Sequence, residues 1–452
     1  MDRHRLRHAR AALATALLLL LTAGRALSSP RAWQPLVILG AQIPELIGQR
    51  TSRFEVLAAH GATLEPIPFQ IDEIAVDGTY ALPDGPEPTV DESPGVLDSN
   101  DEVAMMVSDL GERAPRGGAL PAGADEVQVI DPLGGRVRYV YIAAVDNPRL
   151  SPISYIDYDS ATGAIESDSY RLGFTNGIPS DFTLQNRKGQ HLPNMIDRFK
   201  VGMRARVLGL FHISLTEDDV RNRVLAWKAG PIRVIKRVSH SVNLFAGISS
   251  SAALSDDFFY RDYFENPFTV DFPPLPDALF GDVEVRVDFD FTDLSGYELL
   301  WSGMHSAPIQ IGDFRAEQAL RGDPAGTIKW IAFRGHGRTT VQTLAPVADL
   351  DKIKRKLYFR DETGASATRA DPHASSRSIG YVMTGWKTMA RGAHSLDSLL
   401  ITAPGNYDPE VMFRELHTAP IVRATTAREL STAPRAKPVQ FRKRNGSRRS
   451  ET

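Results

Sequence analysis

An all-β fold is what this sequence predicts: a small N-terminal β domain followed by a large antiparallel β-sandwich, supersandwich-like, with few short helices. Three observations lead there. Apolar and polar residues alternate with period two in many segments, Gly and Pro punctuate those segments, and only one stretch joins helical spacing to a clear helix start.

The clearest strand is "VEVRVDFDFT" (283–292). Val283, Val285, Val287, Phe289 and Phe291 fall on one face, and Glu284, Arg286, Asp288 and Asp290 on the other. Such alternation predicts an antiparallel strand with one buried and one solvated face. Segments 136–145, 230–242, 327–335, 339–344, 356–362 and 398–404 read the same way. "GHG" (335–337) fits a hairpin turn that carries a histidine. The spacing predicts a helix over 407–417, with Asp408 as its cap, Pro409 in its first turn, and Val411, Met412 and Glu415 following. Residues 350–357 are read as one or two further helical turns.

The N-terminus has the layout of a secretory signal peptide over 1–28: a basic stretch (3–10), an apolar run (11–24), then small residues Ala26 and Ser28. The apolar run is short for a membrane span, and no later stretch is apolar enough to cross, so no transmembrane span is expected once the signal is removed. A periplasmic or secreted location follows. Residues 33–148 are assigned to the small acidic β domain and 152–420 to the large sandwich, with "DNPRLSP" (146–152) as linker. Residues 421–452 form a basic tail with little apolar content, for which disorder is expected.

Composition narrows the function. The chain has no cysteine, which excludes disulfides, thiolate metal sites, covalently attached haem and a lipoprotein anchor. Stability must come from a core, and roughly 420 mature residues suffice for one. Net charge is −3, but it is unevenly spread. Residues 66–126 hold fourteen acids and two bases, whereas 421–452 holds nine Lys/Arg and two Glu. An acidic body is a poor match for nucleic acid, and such asymmetry bears on ions and partners rather than on fold.

The acids concentrate in "GVLDSNDEVAMMV" (95–107). Asp98, Asn100, Asp101 and Glu102 offer hard oxygen ligands in close succession, the donor type calcium takes. No glycine or distal glutamate completes an EF-hand loop, and a turn whose Asp and Asn side chains bond their own backbone is the competing reading. In "PFQIDEIAVDG" (68–78), Phe69 and Ile71 alternate with Gln70 and Asp72, so a second acidic strand edge could face the first across a groove. The nine histidines after the signal show no H-x-H or H-E-x-x-H spacing, which argues against zinc. The chain also lacks G-x-S-x-G, a phosphate-cradling glycine loop and a dinucleotide fingerprint. "DDFFYRDYFENPF" (256–268) interleaves aromatic rings with charges. It suits either a glycan cleft or a packed corner between sheets.

At "AGPIRVIKRVSHSV" (229–242), a Gly-Pro-apolar-Arg opening leads into a long alternating strand. It resembles the sandwich domains of galactose-mutarotase-like and polysaccharide-lyase-like proteins. "W-x-P-L-V" (33–37) and "PIPFQIDE" (66–73) resemble the small β domain that precedes such sandwiches in secreted bacterial proteins of unassigned function. The resemblance implies a sandwich fold and a carbohydrate context. Neither the His and Glu of mutarotases nor the Tyr, His and Arg of lyases can be carried over residue by residue.

Two functional classes follow. One is an exported, non-catalytic binding or scaffold protein that meets a polysaccharide or another envelope component. The alternative is a polysaccharide lyase or other carbohydrate-active enzyme, which needs a base and a cation to neutralise a uronate carboxylate. His240 or Tyr260 is the candidate base, and Arg237 or Arg261 the candidate neutraliser.

Overall fold

The computed structural model describes residues 31–115, 120–185, 191–207, 210–245, 248–249, 252–272, 280–292, 294, 296–304, 307–311, 328–345, 353–361, 377–385 and 392–426. The expected signal peptide (1–28) and most of the basic tail lie outside these residues.

Antiparallel sheets build the molecule, as the period-two patterns require. A ten-stranded sheet runs from the edge strand Val220–Ala229 through Arg233–Phe245, Ala253–Tyr260, Tyr263–Phe272 and Gly392–Pro404 to Arg338–Ala345 and beyond. A nine-stranded sheet has at its centre Phe280–Phe291 paired with His191–Val207 and Arg377–Thr384. Between them lies the largest core, which holds Phe259, Phe264, Phe289, Phe291, Phe333, Tyr381 and Leu400.

The ten-stranded sheet is covered on its other face as well. Along its strands the neighbours of those core residues point the opposite way: Tyr260, Tyr263, Ala332 and Ile401 join Trp33, Ala104, Met106 and Met412 in a second cluster. The small three-stranded sheet supplies Ala104 and Met106. Its order is Pro35–Leu39, Glu102–Met106, Gln70–Asp72. Its opposite face shares a third core with a five-stranded sheet through Leu36, Ile38, Val103, Met105, Val56, Val127 and Ile142. Central strands in such a stack are buried on both faces and read as nearly continuous apolar runs, as "LLITA" does.

The helix is Pro409–Leu416. Asp408 caps it by accepting from the amide of Glu410 at 2.9 Å, which satisfies one of the orphan donors of the first turn. Buried Glu415 accepts from the indole of Trp33 at 3.1 Å, and Glu410 from that of Trp330 at 2.8 Å. The helix thus joins the start of the described chain to the ten-stranded sheet. His336 and Gly337 form the expected hairpin turn, both at positive φ (49° and 71°), between the paired residues Gly335 and Arg338.

Three expectations are corrected. The polar face of the strand Phe280–Phe291 is not solvated along its length: Asp288 and Asp290 are fully buried, and Asp290 pairs with buried Lys200 at 2.5 Å. Alternation revealed the two faces but not that the polar one is covered at Asp288 and Asp290, while Glu284 and Arg286 on it stay half-buried. Residues 354–361, expected in part to be helical, form an edge strand paired with Arg377–Thr384, because the period-two set Leu357, Phe359 outweighs a helical reading of the lysines. The tail begins later than its charge suggests. Ile421–Thr425 is a strand that pairs with Asp125–Ile130 and closes one edge of the five-stranded sheet.

Candidate functional site

Two places gather the residues singled out by sequence. The first is the acidic loop. Asp101, at the foot of the strand Glu102–Met106, is completely buried. Its Oδ1 accepts from the amide of Ile74 at 2.9 Å and its Oδ2 from that of Asp98 at 2.8 Å. Asp98 accepts from the amide of Asn100 at 3.1 Å. The Asn100 amide group donates to the carbonyls of Ile74 and Ala75. The bonds among Asp98, Asn100 and Asp101 are the self-bonded turns that Asp and Asn favour, whereas those to Ile74 and Ala75 tie the loop to a separate segment.

Asp91 enters the same space from the Pro-rich loop 81–95. It is 4% exposed, and its Oδ2 accepts from the amide of Ser93 at 3.0 Å. Its Oδ1 has no hydrogen-bond partner among the described residues. One carboxylate oxygen from each of Asp91, Asp98 and Asp101 lies within 4.8 Å of the others. Burial pushes the Asp101 carboxyl above its ordinary range, and the neighbouring Asp98 and Asp91 charges push the same way. Three converging carboxylates form a hard-oxygen donor set.

Glu102 is not part of this set. It accepts from Tyr80 at 3.0 Å and meets the guanidinium of Arg233. The alternation of the strand turns it away from Asp101. Asp72, paired opposite Glu102, faces Arg233 too. The two acidic strand edges therefore do not line a groove, because Arg233 fills the space between them.

The second place is the sheet of Arg233–Phe245 and Ala253–Tyr260, in the register Arg233↔Tyr260, Arg237↔Asp256 and His240↔Ala253. The four candidate residues do not converge. Arg237 grips Asp256 with two bonds of 2.8 Å. Tyr260 accepts from Arg233 at 3.0 Å, stacks on Tyr263 at 4.5 Å, and has its ionisation pushed up by burial. Arg261 sits in the turn after Tyr260, donates to Asp262 at 2.8 Å and to Ser108 at 3.1 Å, and reaches the carbonyl of Ala32. His240 lies on the opposite face from Arg237, between Asn222 (2.8 Å) and Ser255 (2.6 Å), with burial pushing its imidazole down to about 4.

The aromatic strip is a packed corner rather than a cleft. Phe259, Tyr260, Tyr263 and Phe264 are buried, and they alternate between the two cores.

Sequence reasoning passed over Lys236, which shares a face with His240. Its ammonium lies 3.7 Å from the ring centre of Phe174, 4.8 Å from Phe259 and 5.7 Å from Tyr158. Desolvation lowers it to about 8, partly offset by Asp257, whose own carboxyl burial raises to about 6. Asp91 was also passed over. The density of acids between 66 and 126 was its only signal.

No protein-family model matches the chain, and no curated protein does. Among solved structures it is similar to an alpha-mannosidase from Enterococcus faecalis V583, at 9% identity and a TM-score of 0.42. The match covers 87% of this chain and 43% of that one, so this chain spans under half of its length. At that similarity the likeness carries no functional weight. Among the described residues no helix is long and apolar enough to cross a membrane.

Proposed function

We propose that the chain is exported and acts as a non-catalytic envelope protein, binding or scaffolding through a carbohydrate-type β-sandwich. The observation that carries this reading is the commitment of the four candidate catalytic side chains to structural contacts. Asp256 and Asp262 neutralise Arg237 and Arg261, so neither presents an uncompensated cation to a uronate. Tyr260 is buried against Arg233. A buried imidazole at about 4 is a weak general base near neutral pH.

The basic-then-apolar N-terminus supports export. Two large antiparallel sheets agree with the sandwich that the resemblance to mutarotase-like and lyase-like proteins implies, and that resemblance is what points to a polysaccharide as the partner class. The test is affinity electrophoresis of the protein lacking 1–28 through gels cast with neutral and uronate polysaccharides. Retardation by at least one of them is expected. Unchanged mobility in all of them overturns the carbohydrate part of the reading.

A further inference from the structure

We propose that Asp91, Asp98 and Asp101 bind one calcium ion, and that this ion latches the loop 81–95 along the edge of the ten-stranded sheet. The proposal goes beyond the functional reading above and does not depend on it.

Two independent observations carry the ion. The first is the convergence of three carboxylates within 4.8 Å. The second is Asp91 Oδ1, which has no partner among the described residues although the Asp91 carboxylate belongs to that cluster and its side chain is almost wholly buried. A buried acceptor left without a donor is costly, and more so when it is charged. A cation shared by the three carboxylates removes that cost and their mutual repulsion together.

The donor set favours calcium. Calcium takes carboxylate oxygens at about 2.3–2.6 Å in flexible geometry, whereas magnesium demands near-octahedral geometry at about 2.0–2.1 Å. Magnesium also gives up its water reluctantly.

The latch follows from where Asp91 is tethered. The loop before it pairs with the edge strand Val220–Ala229: Asp84 donates to the carbonyl of Trp227 at 3.2 Å and accepts from its amide at 2.9 Å, and Glu87 donates to Leu225 at 2.8 Å. Leu82 is fully buried against Ala226 and Ile235. At Gly85, with φ of 110°, a Cβ would lie 2.7 Å from the carbonyl of Leu225, so the close approach depends on glycine. Covering an edge strand in this way blunts a template for unwanted pairing. Asp98 and Asp101 belong to the small sheet's loop and Asp91 to the covering loop, so an ion between them ties the cover down.

The experiment compares the mature wild type with Asp91→Asn. This substitution keeps an oxygen for the amide of Ser93 and replaces only the unpartnered one. Calorimetric titration with calcium chloride should show one ion per wild-type chain, binding at least tenfold weaker to Asp91→Asn, and magnesium at least tenfold weaker than calcium. Calcium should raise the wild-type Tm and slow hydrogen exchange at the amides of Asp84 and Glu87, with neither effect in Asp91→Asn. No calcium binding at millimolar concentration, or equal binding by the variant, overturns the site. Calcium binding with unchanged exchange at Asp84 and Glu87 overturns the latch.

Discussion

Arg233 and Asp72 form an ion pair that is almost completely buried. The guanidinium of Arg233 donates through Nε to Asp72 Oδ2 at 2.8 Å, its Nη2 meets both Asp72 and Glu102, and its Nη1 donates to the hydroxyl of Tyr260. The rings of Tyr80, Phe258 and Tyr260 lie around it at 5.5–5.8 Å. One side chain of the large sheet thus joins two strands of the small one.

The first prediction concerns that pair. Replacing Arg233 by Met leaves Asp72 as a buried charge that has lost its main partner, and truncating one side of a buried pair costs about 3–5 kcal/mol. Arg233→Lys should recover little, because one ammonium cannot replace a planar fork bonded to Asp72, Glu102 and Tyr260 at once. Urea unfolding of both variants measures this. A loss under about 1 kcal/mol in Arg233→Met contradicts the role given to the pair.

Tyr260→Phe removes an acceptor from Arg233 but keeps the ring stacked on Tyr263. It should cost about 1.5–3 kcal/mol of stability, the range for a hydrogen bond to a charged group, and leave polysaccharide mobility shifts unchanged. A mobility shift that disappears while the fold persists would place Tyr260 in a binding surface instead.

Lys236 gives a pH dependence of definite sign. In the unfolded chain its amine keeps a proton up to about 10.5, whereas in the fold it releases it at about 8. Between these values the unfolded state binds more protons, so stability rises with pH. Relative to Lys236→Met, the wild type should therefore gain on the order of 3 kcal/mol as pH rises from about 8 to 10.5. Paired denaturation curves across that window test it, and a flat difference contradicts a desolvated amine.

The strand Ile421–Thr425 predicts a sharp truncation boundary. A chain ending at Thr426 should melt as the full chain does, because it keeps the pairing with Asp125–Ile130. A chain ending at Pro420 bares that edge, so it should melt lower and aggregate faster. Scanning calorimetry and light scattering separate the two cases. Equal melting temperatures would make the strand dispensable.

Much of the fold was legible because period two is a local signal. Val287, Phe289 and Phe291 face the core as their spacing demands, and Asp408 and Pro409 start the helix where cap chemistry places it. What covers a strand's second face is not local. Asp288 and Asp290 therefore read as solvent-facing although they are buried. The same limit applies to the sites. "DSNDE" was visible as an oxygen-rich turn, but Asp91 reaches it from a separate loop. Glu102 looked like a member of the cluster until strand alternation and Arg233 took it elsewhere. His240 and Arg237 lie three residues apart, an odd spacing that puts them on opposite faces, and this was readable from the strand pattern alone. Lys236 was not distinguishable from a surface lysine without its ring of aromatic partners.

Binding without turnover is tested most directly by incubating the mature protein with a uronate polysaccharide that retards it in affinity gels, while following the absorbance of the unsaturated product a lyase would release. The account predicts no rise in absorbance over the blank, with polysaccharide binding retained. A rise that His240→Ala or Tyr260→Phe abolishes, in variants that still fold, would contradict it and make the chain an enzyme.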